Sequence, residues 1–332
     1  MSGGLHPRTA ALVRTLADGR FRSGTELARA LGISRAAVWK HVERLAALGL
    51  EVHAVRGKGY RLARPLELLD PDAVRAAMPP PAADRLVALA VHDVLDSTSE
   101  WLRHQPDDGP AACLAECQTA GRGRRGRRWV SPFGAHLYLS LRWRFEASPT
   151  ALAGLSVATG VAVVEALEAC GAEGVGLKWP NDLVHGGAKL GGILIDVSGE
   201  ESGPARAIVG VGVNVRMPPS AAAELDQPWT ELAALPGPPD CSRNRLAGRV
   251  LGTLVGALER FAADGLAPFL DGWARRDAVA GRDVEVRGVG WTLRGRALGI
   301  DAGGALLLET GGGLRRVSAG EVSVRGWHEA AG

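Results

Sequence analysis

The chain has 332 residues, 46% of them hydrophobic, and a formal net charge of +3. This composition excludes a disordered chain and leaves room for two or three globular domains. No apolar run approaches the roughly 20 residues of a bilayer span, and the N-terminus lacks the apolar stretch and cleavage site of a signal peptide. A cytoplasmic protein with no membrane partner is expected.

The charge is unevenly spread. Residues 1–64 hold twelve Lys/Arg against Asp18, Glu26, Glu43 and Glu51, a surplus of +8 that leaves −5 for the remainder. Only this segment carries a field suited to a polyanion. Ser23 and Glu26 in "SGTELARALG" have capping-box spacing, which predicts a short helix. Gly32 ends it, and "ISRAAVWKHVERLAALG" restarts at Ser34 and closes at Gly49. Two helices about a tight glycine turn make a helix-turn-helix. On the second helix Val38, Val42 and Leu45 face inward towards "AALVRTLA", and Ala36, Lys40, Glu43 and Arg44 face outward. Ser34 and Arg35 sit at the end that meets base edges in such motifs. Trp39 reads more readily as a flank-packing residue than as a base reader. "EVHAVRGKGYRL" alternates about its glycines as a hairpin wing with Arg56 and Lys58 at the tip. A DNA-binding winged helix over 1–64 is expected, although a three-helix bundle with a solvated basic face shares parts of this pattern.

Residues 65–82 are expected as a linker. It holds one short helix, with Asp70 as cap and Pro71 at its first position, that stops at prolines 79–81. Residues 83–276 form the central domain. Strands are expected near 87–94, 112–118, 175–179, 193–197 and 207–215 around a helix in 148–170, with a further helix over 241–264. In "HLYLSLRWRF" Leu137, Leu139, Leu141, Trp143 and Phe145 alternate with Tyr138, Ser140, Arg142 and Arg144, the period of a half-buried strand. An α+β domain with a mixed, mostly antiparallel sheet follows. After Asp277 short alternating pieces separated by glycine turns predict a small closed barrel over 277–332.

Four cysteines, Cys113, Cys117, Cys170 and Cys241, show no CxxC spacing and no paired histidine. Neither a zinc site nor a disulfide framework is suggested. Cys113 and Cys117 on one strand would stand about 13 Å apart, beyond the roughly 7 Å that a disulfide spans.

"GRGRRGRRW", residues 121–129, puts five arginines and three glycines into nine positions between apolar strands. Gly121, Gly123 and Gly126 let backbone N–H groups approach a ligand, and the guanidiniums neutralise phosphate or carboxylate. Such a loop suits a reaction between two anions, as when ATP activates a carboxylic acid. It is not a Walker A loop. Lys189, before the glycine pair of "KLGGILIDV", could act as a point charge at a pocket mouth. Asp182 in "KWPND" could orient a nucleophile or hold Mg²⁺ with phosphate. Each also has a plain reading: Lys189 a solvated lysine, Asp182 a turn residue, Asn214 a strand-end cap.

"DSTS", "AECQTAGRGRRGRRWVSPFGAHLYLSLRW", "KWPNDL", "KLGGILIDV" and "GVGVNV" resemble, in order and spacing, the catalytic core of biotin protein ligases. With "SRAAVWKH" and the "GKGY" wing the chain is similar to the bifunctional form that also represses the biotin operon. The resemblance implies a central domain of the class II aminoacyl-tRNA synthetase/biotin ligase type and an SH3-like C-terminal barrel. It implies ATP-dependent biotinylation of a lysine on a biotin carboxyl carrier protein, as of acetyl-CoA carboxylase, through biotinyl-5′-AMP, with Mg²⁺ accompanying ATP. It also implies operator DNA as a partner and a homodimer when the adenylate is bound. By motif, Ser97, Thr98, Ser99 and Gln118 would surround the ureido ring, with Ser99 where the family usually has asparagine. Gly121, Arg122, Gly123 and Arg124 would line the carboxylate and phosphate side, Lys189 the reacting carboxylate, with Asn214 also at the adenylate. Trp229 would cover adenine. Arg124, Lys189 and Asp182 are the candidate catalytic residues, and Arg275 is either near the nucleotide or in a surface ion pair. A ligase whose winged helix regulates other genes or none, a biotin sensor without chemistry, and a lipoate ligase are the competing readings.

Overall fold

A computed structural model describes residues 5–237 and 241–324. The ends of the first and last expected domains, 1–4 and 325–332, lie outside the described residues.

The basic segment folds as α1 (Pro7–Leu16), α2 (Gly24–Leu31), α3 (Arg35–Ala47) and a hairpin of β1 (Val52–Val55) and β2 (Gly59–Leu62). The capping box forms, since the Glu26 N–H donates to Ser23 Oγ and the Ser23 N–H to the Glu26 carboxylate. Gly32, at φ 62°, ends α2 in the left-handed conformation, and Ser34 caps α3. Val38 and Leu45 are buried and Val42 packs at the edge of that core. Hydropathy alone missed His41, which is also buried, its Nδ1 2.8 Å from Thr9 Oγ1.

This small core is completed from the central region by Val94 and Phe133. Arg14 pairs with Asp93 at 3.0 Å, and the Leu66 N–H donates to the Ala17 carbonyl. The segment expected as a linker is no free tether. It carries α4 (Pro71–Ala76), and α5 (Pro80–Arg85) starts inside the proline run expected to stop the short helix, because a first helical turn tolerates proline. Leu69, Val74 and Met78 are buried in the central core.

That core lies against a seven-stranded sheet of order β3-β4-β5-β9-β8-β7-β6. Its strands are β3 (Ala88–Leu95), β4 (Ala111–Gln118), β5 (Leu137–Phe145), β6 (Gly176–Lys178), β7 (Asp182–His185), β8 (Ala188–Gly199) and β9 (Ala205–Val213). Only β3 and β4 run parallel, joined by α6 (Thr98–Arg103). β7 was not anticipated, because "NDLVH" is too short to show a period. β5, expected to be half-buried, is buried on both faces except at Arg144. The α6 region covers its polar face: Arg142 donates to the carbonyls of Leu102, Gln105 and Gly109.

The helix expected over 148–170 is broken at Gly154, at φ 84°, before α7 (Leu155–Glu168). Contrary to expectation, residues 149–168 are apolar and long enough to cross a bilayer by length and composition. In the fold they serve the core, where Val157, Val161 and Val164 are buried. One-turn α8 (Pro219–Ala222), long α9 (Arg243–Asp264) and short α10 (Leu270–Ala274) follow. Val74 and Pro79 press on Gly248 and Gly252 of α9 so closely that a Cβ there would stand 2.5 Å from the Val74 carbonyl oxygen and 2.4 Å from Pro79 Cδ.

The C-terminal strands β10 (Asp283–Arg287), β11 (Thr292–Ile300), β12 (Leu306–Thr310), β13 (Gly313–Val317) and β14 (Glu321–Val324) pair antiparallel in the order β13-β12-β11-β10-β14. β11 bulges between Ala297 and Gly299. Among the described residues no ladder joins β13 to β14.

Candidate active site

The 121–129 loop, the sheet from β4 to β8, and β14 enclose a cavity of about 390 Å³. At one end its walls are neutral and polar. Thr98 and Ser99 start α6, Gln118 ends β4, and Ser140 comes from the polar face of β5. Thr98 Oγ1 lies 2.7 Å and Ser99 Oγ 2.9 Å from Ser140 Oγ, and the Thr98 N–H donates to Gln118 Oε1 at 2.9 Å. Gln118 Nε2 donates on to Ser131 Oγ. Hydroxyls can donate or accept, so this end can serve a buried head that carries both N–H and C=O groups.

The middle is walled by an aromatic ring. Trp129 lies over Gly192 and Gly212; a Cβ on Gly212 would stand 2.7 Å from the indole, and one on Gly192 3.4 Å from it. The indole N–H is buried with no partner among the protein's own groups.

The other end is charged. Asp182 sits between two ammonium groups, Lys189 Nζ at 2.8 Å and Lys178 Nζ at 3.4 Å. Lys189 Nζ also stands 5.7 Å from the Trp129 ring centroid, within cation–π range. Arg124 donates to Asn181 Oδ1 and to the Gly320 carbonyl. Burial lowers its pKa, opposed by the nearby carboxylates of Glu321 and Asp182.

The arginine loop is a tight turn, with an Arg122–Arg128 bridge and the Gly123 N–H donating to the Arg127 carbonyl at 2.7 Å. Arg125 takes φ 57°, the left-handed region that a side chain disfavours. Ion pairs fasten the outside: Arg122 to Asp196 at 2.6 Å, Arg128 to Glu224, and Arg127 and Arg125 to Glu321 of β14.

Of the residues singled out by sequence, Ser97, Thr98, Ser99, Gln118, Arg122, Gly123, Arg124, Asp182 and Lys189 line the cavity. Gly121, Asn214 and Trp229 are not among its described lining residues. Gly121 instead holds the loop base: the Trp129 N–H donates to its carbonyl, and a Cβ would meet the Trp129 carbonyl at 2.6 Å. Asn214 Nδ2 donates to the carbonyls of Thr230 and Lys189, which ties the Trp229 segment to the start of β8. Trp229 bridges to Lys189 through the backbone. Arg275 is exposed and outside the described cavity lining. Ser34, Arg35, Ala36, Lys40, Arg44, Arg56 and Lys58 are all exposed, as is Trp39 at 52%.

The model of the biotin/lipoate A/B protein ligase family matches residues 91–214, that of an HTH domain 8–61, and that of the biotin protein ligase C-terminal domain 279–325. The bifunctional ligase/repressor BirA of Salmonella typhimurium is 40% identical over 316 residues, 95% of this chain and 96% of the relative. The chain belongs to the bifunctional ligase/repressor family of biotin protein ligases. The ligase/repressor BirA of Bacillus subtilis is 33% identical over 93% of this chain and 95% of its own. Among solved structures, the biotin protein ligase from Aquifex aeolicus in complex with biotin and ATP superposes with a TM-score of 0.60 at 29% identity, over 73% of this chain and 98% of that one.

In this ligase/repressor, sequence reasoning gave no role to Trp129, Ser140, Lys178, Asn181 or Glu321, all of which line the cavity. Trp129 ends the arginine run, so an aromatic next to the glycine-rich turn was the available signal. Ser140 stood on the polar side of an alternating strand that reads equally well as facing solvent. Glu321 carries no local signal; only the fold brings β14 to the loop.

Proposed function

We propose that the protein joins biotin to ATP as biotinyl-5′-AMP, passes the biotinyl group to a lysine of a biotin carboxyl carrier domain, and represses biotin-synthesis genes through its winged helix. One observation carries the ligase reading: a single cavity with a neutral hydroxyl-lined end, a middle walled by Trp129, and a cationic end at Lys178, Lys189 and Arg124. The ureido ring of biotin needs donors and acceptors when buried, its thiophane and valeryl chain need an apolar slot, and its carboxylate and the α-phosphate need positive charge.

Ser99 stands where the family usually has asparagine, and its hydroxyl, 2.9 Å from that of Ser140, serves the ureido end. Lys189 exchanges Asp182 for the substrate carboxylate, and Arg124 holds the phosphate, so the two anions meet with their repulsion offset. The carboxylate oxygen bonds to the α-phosphorus as pyrophosphate leaves. The carrier lysine then attacks the acyl carbon, the C–N bond forms, and AMP departs with the C–O electrons. Asp182, released by Lys189, orients the incoming amine. Asn214 braces the segment that brings Trp229 to adenine, and Gly121 shapes the loop base. Catalysis comes from positioning and charge.

Among the described residues no three His, Cys, Asp or Glu gather as a metal site, and both Asp182 oxygens face lysines. Mg²⁺ therefore fits as a companion of the nucleotide, held by its phosphates. We take 1–64, 65–82, 83–276 and 277–332 as the functional divisions, and the cytoplasm as the location. On DNA, Ser34, Arg35, Ala36, Lys40 and Arg44 meet the major groove and Arg56 and Lys58 the flanking backbone. A single winged helix reads one half-site, so the repressor acts as a dimer. Among the described residues β8 pairs with β7 over Ala188–Gly192 alone, and the outer edge from Leu194 to Ser198 is available to a second copy.

The test is incubation with ATP, Mg²⁺, labelled biotin and a carrier domain, with a gel-shift on the DNA upstream of biotin genes. Label on the carrier and operator affinity that rises with biotin and ATP are expected. Absence of both mixed anhydride and label removes the ligase reading, and a gel-shift indifferent to ligand removes the coupled repressor.

A further inference from the structure

Sequence spacing gave no reason to pair any of the four cysteines, yet the fold brings two of them together from 71 residues apart. The thiol of Cys241 donates to Cys170 Sγ at 3.0 Å. Cys170 lies just past the end of α7, and Cys241 immediately precedes Ser242, the N-cap of α9. The other two, Cys113 and Cys117, lie four residues apart on β4, out of bonding reach. The close pair thus joins the ends of the two long helices that form the back of the core.

We propose that Cys170 and Cys241 are a reversible oxidation site, converted by a peroxide into a disulfide that staples α7 to α9. The balance is simple: two thiols give two protons and two electrons, the peroxide O–O bond breaks, one S–S bond forms, and the oxygens leave as water. A dithiol reverses it by exchange. Access exists on one side. Cys241 lines a second cavity of about 410 Å³ between the wing, residues 62–67, residues 215–219 and the start of α9, wide enough for a small oxidant. Cys170 is buried behind it and serves as the resolving thiol. Burial pushes the Cys241 thiol up to about 12, so little thiolate exists at neutral pH and the pair responds slowly, to sustained rather than transient oxidant.

The staple closes a covalent ring over residues 170–241. That ring contains β6 to β9, with Lys178, Asp182 and Lys189 of the cationic end and, beside them, Asn214 and Trp229, while Arg124 reaches the cavity from outside it. Cys241 also stands two residues before Arg243, which binds Glu116 of β4. Oxidation therefore fixes the start of α9, which carries Arg243, without adding a group inside the active-site cavity.

The experiment uses the full chain, freed of reductant and treated with hydrogen peroxide, and does not depend on ligase activity. Expected are loss of two of the four thiols, one cross-linked peptide pair carrying Cys170 and Cys241, and a Tm rise of roughly 5 °C that dithiothreitol abolishes. Cys170→Ser should show neither cross-link nor Tm rise, with a dimedone-trapped sulfenic acid at Cys241. Cys117→Ser should cross-link as the unaltered protein does. Thiols at 170 and 241 that stay reduced, that go only to sulfinic or sulfonic acid, or that link to another cysteine overturn the proposal.

Discussion

The Trp129 indole packs against Gly212, so close that a β-carbon there would stand 2.7 Å from the ring. Strand β9 thus keeps a glycine where an aromatic wall of the cavity rests. Gly212→Ala should push the indole out and raise the Kd for biotin about tenfold, an overpacking cost of roughly 1.4 kcal/mol. Isothermal titration with biotin checks this; unchanged affinity in a folded variant shows that Trp129 does not wall the ligand.

Arg124 reaches the cavity between Asn181 and the Gly320 carbonyl. Arg124→Ala removes a cation from the phosphate side while leaving the core untouched. The expected result is a loss of about a hundredfold or more in adenylate formation, with the thermal transition unchanged. Biotin-dependent pyrophosphate exchange reads it, and a normal exchange rate counts against the assigned role.

What could be read from the sequence divides along physical lines. The winged helix was legible because caps and a glycine turn are local signals: Ser23, Glu26, Gly32 and Ser34 act within one turn of themselves. The arginine loop was legible through an unusual composition. Relations made by long-range packing were not. Phe133 enters the core of the winged helix, residues 65–82 join the central core, and Cys170 meets Cys241, none of which leaves a period or spacing behind. β5 misled because alternation records polarity and not solvent; Ser140 and Arg142 face protein groups with which they hydrogen-bond.

Glu321 clasps Arg125 and Arg127 from β14, the one carboxylate that ties the C-terminal strands to the loop by ion pairs among the described residues. Exposed pairs of this kind add about 0–1 kcal/mol to stability, so Glu321→Gln should leave Tm within error. The loop, however, loses its outer anchor. A several-fold rise in KM for ATP is expected, with biotin affinity within twofold, and steady-state kinetics with each substrate varied separates the two. Equal effects on both would place Glu321 in general folding instead.

Arg243 and Glu116 form an ion pair at 2.9 Å, both residues nearly inaccessible. The guanidinium also donates to the carbonyls of Glu67 and His136, and the Leu69 N–H donates to Glu116. This node joins the segment after the wing, β4 and α9. Glu116→Ala leaves a buried cation without its partner and should cost about 3–5 kcal/mol. The double variant Glu116→Leu/Arg243→Met should recover much of that loss. Urea denaturation measures both; a double variant no better than the single one shows that the neighbouring carbonyls, not the charge, dominate.

His136, fully enclosed beside this node, fixes a pH dependence. The Val215 N–H donates to Nδ1 at 3.1 Å, so the ring proton is on Nε2, which stands 3.3 Å from Met217 Sδ. A second proton on Nδ1 would displace the Val215 bond, and burial, with Arg243 adding repulsion, pushes the pKa from 6.5 down to about 3. The folded value is the lower one, so below pH 6.5 the unfolded chain binds the proton and the folded chain does not. The stability held by neutral His136 is complete above about 6.5 and is lost as pH falls towards 3, by up to about 1.4 kcal/mol per pH unit. His136→Gln, which keeps an acceptor for Val215, should flatten this limb. Urea midpoints between pH 4 and 7 test it: parallel curves for the two proteins show that other groups set the acid limb.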